Sequence, residues 1–464
     1  MEEFDVVIIG TGPAGLGAAF ELLEHFPGDR YSRSNANNTN YDCTEEGRSE
    51  AETSHNGKRG TGNKGITLLL LDRQNYCSGG LRNDCKMNFT YPIGFPVDNW
   101  DQPAAERCLK KVKKILKPDI MRKENLSTYT KRAERLGVRL VEVEQTHLGT
   151  DGGLELIKKL YARLEEMGAR FGLNETVEKI DNHRKVIITD KREISYKTLL
   201  AAPGRQGFRF IQQLMDDLNV AYMDHIVDIG LRIETRIEHY PIVDDYYDPK
   251  FIFPEKVRTF CTNSGNAHVV KESYTAPDGS AYFSVNGHAF STANKKSNGL
   301  VNFAMLNTVR FTEPLASGQQ FAENLGRQAM LMGGGQPIMQ RIGDFRLGKR
   351  SKAHLFTGDL YDFKPTLGSC CPGDISLAAP AKILRNIWKA LKMLDTIVPG
   401  VLHPSTIMYY PEIKLYANKP TFMDGSFQVA PGVFIAGDGA GTSRGITAAW
   451  ASGVRAAEGM ALQL

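Results

Sequence analysis

The sequence is poor in cysteine. Seven in 464 residues, an odd number, argue against a disulfide framework and point to a reducing compartment. It has little net charge, +4, which gives no general argument for binding nucleic acid or a membrane surface. It has no apolar run of about eighteen residues, so no transmembrane helix is expected. An apolar strand begins almost at the first residue and leaves no room for a signal peptide, so the expected location is cytoplasmic. There is no internal repeat, and no second GxGxxG unit follows a strand. What remains is a composition ordinary for globular proteins, 41% hydrophobic and 24% charged, long enough for two or three domains.

The most informative stretch is Asp5 to Leu23. Val6-Val7-Ile8-Ile9 reads as a short buried strand, Gly10-Thr11-Gly12-Pro13-Ala14-Gly15 as a sharp turn, and Leu16 to Leu23 as a helix. In such a strand–turn–helix, the first glycine makes the tight turn. The second lets a pyrophosphate touch backbone, and the third lets helix and strand pack closely. The helix N-terminus offers free N–H groups and a positive dipole end to phosphate.

A dinucleotide fold places an acid at the end of its second strand, roughly 20 residues past the glycines. Nothing suitable stands there. Residues 28–65 are instead rich in Asn, Ser, Thr, Gly, Glu and Arg, a composition unable to bury enough apolar surface to order itself, and read as a flexible polar insertion. Ile66-Thr67-Leu68-Leu69-Leu70-Leu71-Asp72 follows, a strand ending in an acid. Subtracting an insertion of roughly 37 residues restores the usual spacing and makes Asp72 the ribose candidate. Gly79-Gly80 lies in a flexible loop just beyond.

Helices are expected over 101–117, 122–136, 154–167, 208–218, 380–397 and 446–462, with Thr150 or Asp151 capping the third. The first carries Lys110, Lys111, Lys113, Lys114 and Lys117 among Leu109, Val112, Ile115 and Leu116, an amphipathic surface helix. Thr198 to Gly204 reads as an apolar strand ending in a Pro-Gly turn. Residues 240–320 are rich in Tyr, Phe, Asn and Gly and read as mostly β.

Val433-Phe434-Ile435-Ala436-Gly437-Asp438-Gly439-Ala440-Gly441 is a second strand–turn unit. A carboxylate directly after an apolar strand, flanked by glycines, can reach a chain of hydroxyls. The helix starting after Gly445 can face an electron-rich ring. A flavin meets both demands, its ribityl hydroxyls on Asp438 and the N1–C2=O edge of its reduced ring at the helix dipole. Phosphates at one end of the chain and a ribityl group at the other describe one extended cofactor, FAD.

With these motifs the chain resembles the glutathione-reductase-like FAD proteins. More closely, it is similar to the broad family of FAD-dependent dehydrogenases, most of unassigned substrate. The matching stretches include Tyr247-Asp248-Pro249-Lys250, Arg258-Thr259-Phe260-Cys261, Val285-Asn286-Gly287-His288, Arg310-Phe311-Thr312-Glu313-Pro314, Gln340-Arg341-Ile342-Gly343-Asp344, Pro372 to Leu377 and Pro411-Glu412-Ile413-Lys414. The resemblance implies that Gly10, Gly12, Gly15, Asp72, Asp438 and, through its backbone, Val177 contact FAD. The same turns add Pro13, Ala14, Arg73, Gly80, Ala202, Gly204, Gly437, Gly445 and Ile446. It implies an α/β fold, a Rossmann-like FAD-binding domain with a parallel sheet discontinuous in sequence (1–27, 66–205 and 425–464) and an inserted mixed α+β substrate domain (206–424). The insertion at 28–65, and Cys77, Cys85, Cys370 and Cys371, depart from what the family leads one to expect.

Cys77 and Cys85 flank a Gly-Gly loop and do not share a helical face, so a redox dithiol is not expected. No Cys or His stands at ligand spacing near Cys370-Cys371, so no metal site is expected. A flavin dehydrogenase needs a hydride donor over N5 and often a base for the accompanying proton. His288, Arg258 and Glu412 are the candidates. His288 serves as base or as a hydrogen-bonded structural histidine. Arg258, Arg310, Arg341 and Arg346 anchor a substrate carboxylate or pair with Glu313, Asp344 and Asp374. Glu412 and Lys414 face the flavin or each other.

The expected activity is hydride transfer between a small, anionic substrate and flavin N5. NAD(P)H, if it reacts, does so transiently in the substrate crevice. Two alternatives stand: an oxygen-using monooxygenase or oxidase, and an RNA-acting or non-catalytic FAD-binding protein. For the latter, the basic helix and the insertion's cations are the only support.

Overall fold

The computed structural model describes residues 1–26, 65–77, 81–82, 84–276, 278–290, 296–312, 314, 316–357, 363–415 and 417–464. The insertion at 28–65 and Gly79-Gly80 lie outside these, apart from Gly65.

Two large sheets organise the chain. In the first, Val433–Ile435, Glu193–Ala201, Glu2–Ile9, Leu68–Asp72 and Arg170–Leu173 run parallel in that order, with Gln428–Ala430 antiparallel at one edge. The first strand is buried on both faces, as its unbroken run of Val and Ile requires. Val6 and Ile8 enter the core beneath helices Pro13–His25, Gln102–Leu116 and Ile446–Ala461. Val7 and Ile9 enter the opposite core with Ile211 and Met215 of helix Phe208–Asp217. A small antiparallel addition, Val177–Asp181 with Val186–Thr189, joins the start of Glu193–Ala201.

The second sheet has eight strands, in the order Cys371–Pro372, Ile338–Arg341, Ile407–Leu415, Ile226–Arg236, Leu300–Arg310, Val257–Asn263, Lys250–Phe253 and Arg139–Val141. All its pairings are antiparallel except Ile338–Arg341 with Cys371–Pro372. Helix Ala381–Ile397 shares its core. A long hairpin, Asn266–Thr275 with Ala281–Phe290, packs against it through Val269 and Val285, which meet Met339, Ile407 and Tyr409. The segment 126–140, although it lies between strands of the first sheet, puts Leu126, Ala133, Val138 and Leu140 into this second core.

Most expected helices form within two residues of their sequence bounds. Asp101 caps Gln102–Leu116, its Oδ1 accepting from Ala104 N at 2.8 Å. The helix expected from residue 154 begins earlier, at Gly149, so the N-cap position is Leu148 and Thr150 and Asp151 lie inside the first turn. The helix over 122–136 shortens to Ser127–Arg135.

Candidate functional site

The glycine turn is built by close approach around one gap. Gly10 has φ +101°, and a Cβ there would lie 2.3 Å from Ala202 O. A Cβ on Gly15 would lie 2.0 Å from Gly10 O. Between them, a Cβ on Gly12 would meet nothing within 4 Å. The backbone is thus jammed on either side and open at the start of helix Pro13–His25, where no acidic side chain or cap occupies the first turn.

Asp72 ends the neighbouring strand and faces this turn. Its Oδ2 accepts from Thr11 N at 3.0 Å and from Thr11 Oγ1 at 2.6 Å, and its Oδ1 from Gln74 N at 3.0 Å. Thr11, which no pattern singled out, ties the glycine turn to the strand-end acid and leaves lone-pair capacity on Oδ1.

The terminal turn is drawn onto the first by two helices in backbone contact. A Cβ on Gly453 would lie 1.9 Å from Ala14 O, and one on Gly17 2.5 Å from Trp450 O. Gly439 sits so close to Gly204 that its Cβ would lie 2.4 Å from the latter's carbonyl oxygen. The turns after strands Glu2–Ile9, Glu193–Ala201 and Val433–Ile435 therefore meet at one edge of the sheet. Asp438 is held there by Ser443 Oγ at 2.8 Å on Oδ1, and by Gly445 N at 3.0 Å and Arg205 Nη2 at 3.0 Å on Oδ2.

Residues 94–100 clamp the same turn. Arg444 N donates to Gly94 O at 2.8 Å, Asn99 Nδ2 to Gly441 O at 3.1 Å and Trp100 Nε1 to Thr442 O at 2.7 Å. Of the other cofactor candidates, Gly204 and Gly445 are open and have positive φ, and a Cβ on Gly437 would lie 3.1 Å from Ala14 Cβ. Ile446 opens the final helix, Val177 opens its strand and Arg73 is exposed. Gly80 is outside the described residues.

Beside the second sheet lies a layer of buried ions. Arg232 donates to Glu412 Oε1 at 2.7 Å, Asn286 Oδ1 at 3.0 Å and Cys261 O at 2.8 Å. Lys414 Nζ lies 3.4 Å from both Glu412 and Glu272. Lys86 Nζ lies 3.2 Å from Asp84 and 3.9 Å from Asp248, which also pairs with Lys250. Four cations thus face four carboxylates.

Glu412 is fully enclosed and committed to Arg232 and Lys414. Glu412 Oε1 lies 2.7 Å from Arg232 Nη2 and 3.4 Å from Lys414 Nζ. Arg258 pairs with Asp228 at 2.5 Å. Arg341 is buried against main-chain carbonyls, its Nη2 donating to Phe363 O at 3.0 Å, and Arg346 is exposed at the surface. Of the four arginines, Arg258 and Arg341 already have partners within the protein, and Arg310 and Arg346 are exposed.

His288 stands beside the ion layer. Its ring makes no hydrogen bond among the described residues, and burial lowers its pKa against the opposing pull of Asp84 and Glu272. Burial pushes the Cys77, Cys85 and Cys370 thiols up to about 12. Among the described residues no cysteine is paired and no group of His, Cys, Asp and Glu could hold a metal. Three of the five lysines at 110–117 have carboxylate partners: Lys111 bridges Glu21 and Glu458, Lys113 meets Glu144 and Lys114 meets Glu24. No helix among the described residues is long and apolar enough to cross a membrane.

No family model matches the chain, and no curated protein does. Among solved structures it is similar to L-proline dehydrogenase from P. horikoshii, at 11% identity over 97% of this chain and 91% of that one, with a TM-score of 0.41. It is also similar to a geranylgeranyl bacteriochlorophyll reductase-like protein from Thermoplasma acidophilum, at 12% identity over 99% and 78%, TM-score 0.38. A third is p-nitrophenol 4-monooxygenase from Pseudomonas putida, at 11% identity over 95% and 74%, TM-score 0.34. The chemistry of the site is therefore read from its own residues.

Proposed function

We propose that this chain is an FAD-dependent oxidoreductase of the dehydrogenase or reductase type. The observation that carries the reading is the open glycine Gly12, set between Gly10 and Gly15 packed to contact, at a helix N-terminus that the Asp438 turn reaches from the far end of the chain. The residues fit the cofactor. Gly12 and the N–H groups after it suit a pyrophosphate, Asp72 a ribose, the Val177 backbone an adenine edge and Asp438 a ribityl hydroxyl. The start of helix Ile446–Ala461 suits the electron-rich edge of the ring. Bound FAD supplies a two-electron acceptor or donor at N5.

The chain's own residues then have to bind a small organic substrate, exclude water and manage one proton. In this reading the substrate lies between the first sheet's turns and the ion layer beside the second sheet. His288, kept neutral by burial, is one proton-handling candidate there. The balanced charge of the layer supports an uncharged reacting group rather than the anionic one expected from the arginines. NAD(P)H, if it is the donor, shares that crevice.

The test is colour. A Cβ at Gly12 meets nothing within 4 Å, so Gly12→Val is expected to fold and to be colourless. Asp438→Ala is expected to lose flavin as well. Full flavin absorbance in both refutes the assignment. Stopped-flow reoxidation of the reduced protein separates a dehydrogenase, slow with oxygen, from an oxidase or monooxygenase.

A further inference from the structure

The net charge of +4 hides an uneven distribution. At the edge of the second sheet, just past strand Ile338–Arg341, residues 342–352 carry Arg346, Lys349, Arg350 and Lys352, all exposed, against one acid, Asp344. Residues 371–397 carry Lys382, Arg385, Lys389 and Lys392, again all exposed, against Asp374 and Asp395. These four recur every three or four residues along helix Ala381–Ile397 and so share one face. The three acids are engaged locally. Asp344 accepts from Ser351 Oγ at 2.6 Å, Asp374 from Ser376 N at 2.9 Å and Asp395 from Leu402 N at 2.9 Å. A fourth carboxylate, Glu255, reaches Lys389 at 3.3 Å.

Two leucines stand among these cations. Helix Ile342–Arg346 ends in a tight turn with Gly348 at φ +64°, and Leu347 in that turn is 68% exposed. The short turn Ile375–Leu377 presents Leu377, 64% exposed. Gln340 pins the two turns side by side: its Nε2 donates to Lys349 O at 2.8 Å, and its Oε1 accepts from Ile375 N at 2.9 Å. Arg350 Nη2 donates to Pro372 O at 3.2 Å and Ser351 N to Gly373 O at 3.0 Å, which fastens the same segments a second time. The Phe345 and Trp388 rings, 5.0 Å apart and both half-buried, join the helix that carries the cationic face to these turns. A single exposed leucine means little, but two on braced turns within one cationic surface form a coherent feature.

We propose that this edge of the second sheet docks on an anionic lipid bilayer, with Leu347 and Leu377 entering the interfacial region and the cations facing headgroup phosphates. The chemistry of the surface decides among anionic partners. A nucleic-acid backbone would engage the cations but gives the leucines nothing to do, since it presents phosphate and sugar. A lipid surface uses both. Apolar side chains gain by leaving water, and each Lys or Arg near the surface is drawn by its negative potential. One weak signal alone binds a membrane marginally, and here the fold supplies two on the same braced turns. The contact is peripheral and needs no spanning helix. It goes beyond the flavin reading, and neither depends on the other.

The test sediments the full chain with vesicles of phosphatidylcholine, with and without phosphatidylglycerol. The protein is expected to sediment with the mixed vesicles, to stay in solution with phosphatidylcholine alone, and to be released progressively by salt. Lys349→Glu with Arg350→Glu should lower the partition coefficient by about tenfold or more. Leu347→Ser with Leu377→Ser should lower it by about tenfold although no charge changes. All four side chains are exposed, so both double variants are expected to fold. Lys110→Glu with Lys117→Glu, an equal charge change at exposed lysines elsewhere, should alter binding by less than about twofold. No sedimentation with the mixed vesicles, an equal loss from the Lys110 and Lys117 changes, or a leucine variant that binds like the parent overturns the inference. Binding to duplex RNA that the Lys349 and Arg350 changes abolish and the leucine changes spare, without binding to vesicles, also overturns it and marks a nucleic-acid surface instead. Flavin content, read from absorbance, should be the same in every variant, so a failure here is distinct from a failure of the flavin reading.

Discussion

The turns of the first sheet and the ion layer of the second are positioned by opposite means. The turns are backbone objects, in which glycines let main chain touch main chain, and the geometry at Gly10, Gly15, Gly439 and Gly453 leaves little to side chains. The ion layer is made of side chains from segments far apart in sequence, paired across the fold: Arg232 with Glu412, Lys414 with Glu272, Lys86 with Asp84. A backbone device tolerates any residue that does not block it. An ion layer fails when one member is removed, because the partner is left charged and dry.

The sharpest way to break that comparison is to remove one charge. Arg232 and Glu412 are both fully enclosed, and Arg232 Nε and Glu412 Oε2 lack hydrogen bonds among the described residues, so the layer has no spare partners. Arg232→Met is expected to cost about 3–5 kcal/mol in urea unfolding, whereas Arg232→Met with Glu412→Leu should recover most of it. If the single and double variants lose the same amount, the pair is not the unit of stability.

Next in size is a contrast within the glycine turn. Gly15→Ala forces a Cβ against Gly10 O and should destabilise by about 1–3 kcal/mol. Gly12→Ala meets nothing, should leave the unfolding midpoint unchanged, and should weaken FAD binding by about tenfold or more through encroachment on the phosphate. Equal effects on stability would mean that the gap is not reserved for a ligand.

The same division explains what could be read in the sequence. The glycine turn, the strand ending at Asp72 and the Asp438 turn were legible because each is local: a strand pattern, then glycines at fixed offsets. The parallel order of five strands follows from such units. The contact of His147 Nε2 with Asp84 Oδ1, at 2.7 Å, was not legible. Asp84 lies far back in the chain, strands Lys86–Asn88 and Gln145–His147 that join them have three residues each, and neither has an apolar pattern. Glu412 and the arginines were visible as residue types, but only the tertiary pairing shows that their charges are already used. Thr11, Asn99 and Trp100 support the turns through hydrogen bonds that carry no sequence signature.

Two buried carboxylates sharpen the comparison through pH. Asp84, beside Lys86 and His147, has a depressed folded pKa, so its contribution is present above the unfolded value of about 3.9 and is lost as pH falls below it. Glu234 is buried too, but its partners are hydroxyls: Tyr409 OH at 2.5 Å and Thr366 Oγ1. Burial raises its pKa, so the folded state binds the proton more tightly. Its contribution is present below about pH 4.3 and lost as pH rises through the folded value. Glu234→Gln should therefore remove that loss and stabilise the protein at neutral pH, while Asp84→Asn should destabilise it there. Urea midpoints between about pH 4 and 8 that move in the same direction for both would contradict the contrast.

The smallest effect belongs to the lysine helix, where charge is neither buried nor backbone. Lys113 lies 2.5 Å from Glu144, yet both are well exposed, and such a pair is worth about 0–1 kcal/mol because water already solvates each ion. Lys111 differs, since it bridges Glu458 and Glu21, and Glu21 is only 6% exposed. Lys113→Ala should change neither stability beyond that margin nor flavin content, and neither variant should alter retention of the protein on RNA at low salt, because these cations are matched within the chain. Lys111→Ala should cost more than Lys113→Ala by leaving the nearly buried Glu21 carboxylate with His25 as its remaining ionic neighbour among the described residues. A larger loss from Lys113→Ala would show that exposure does not rank these pairs.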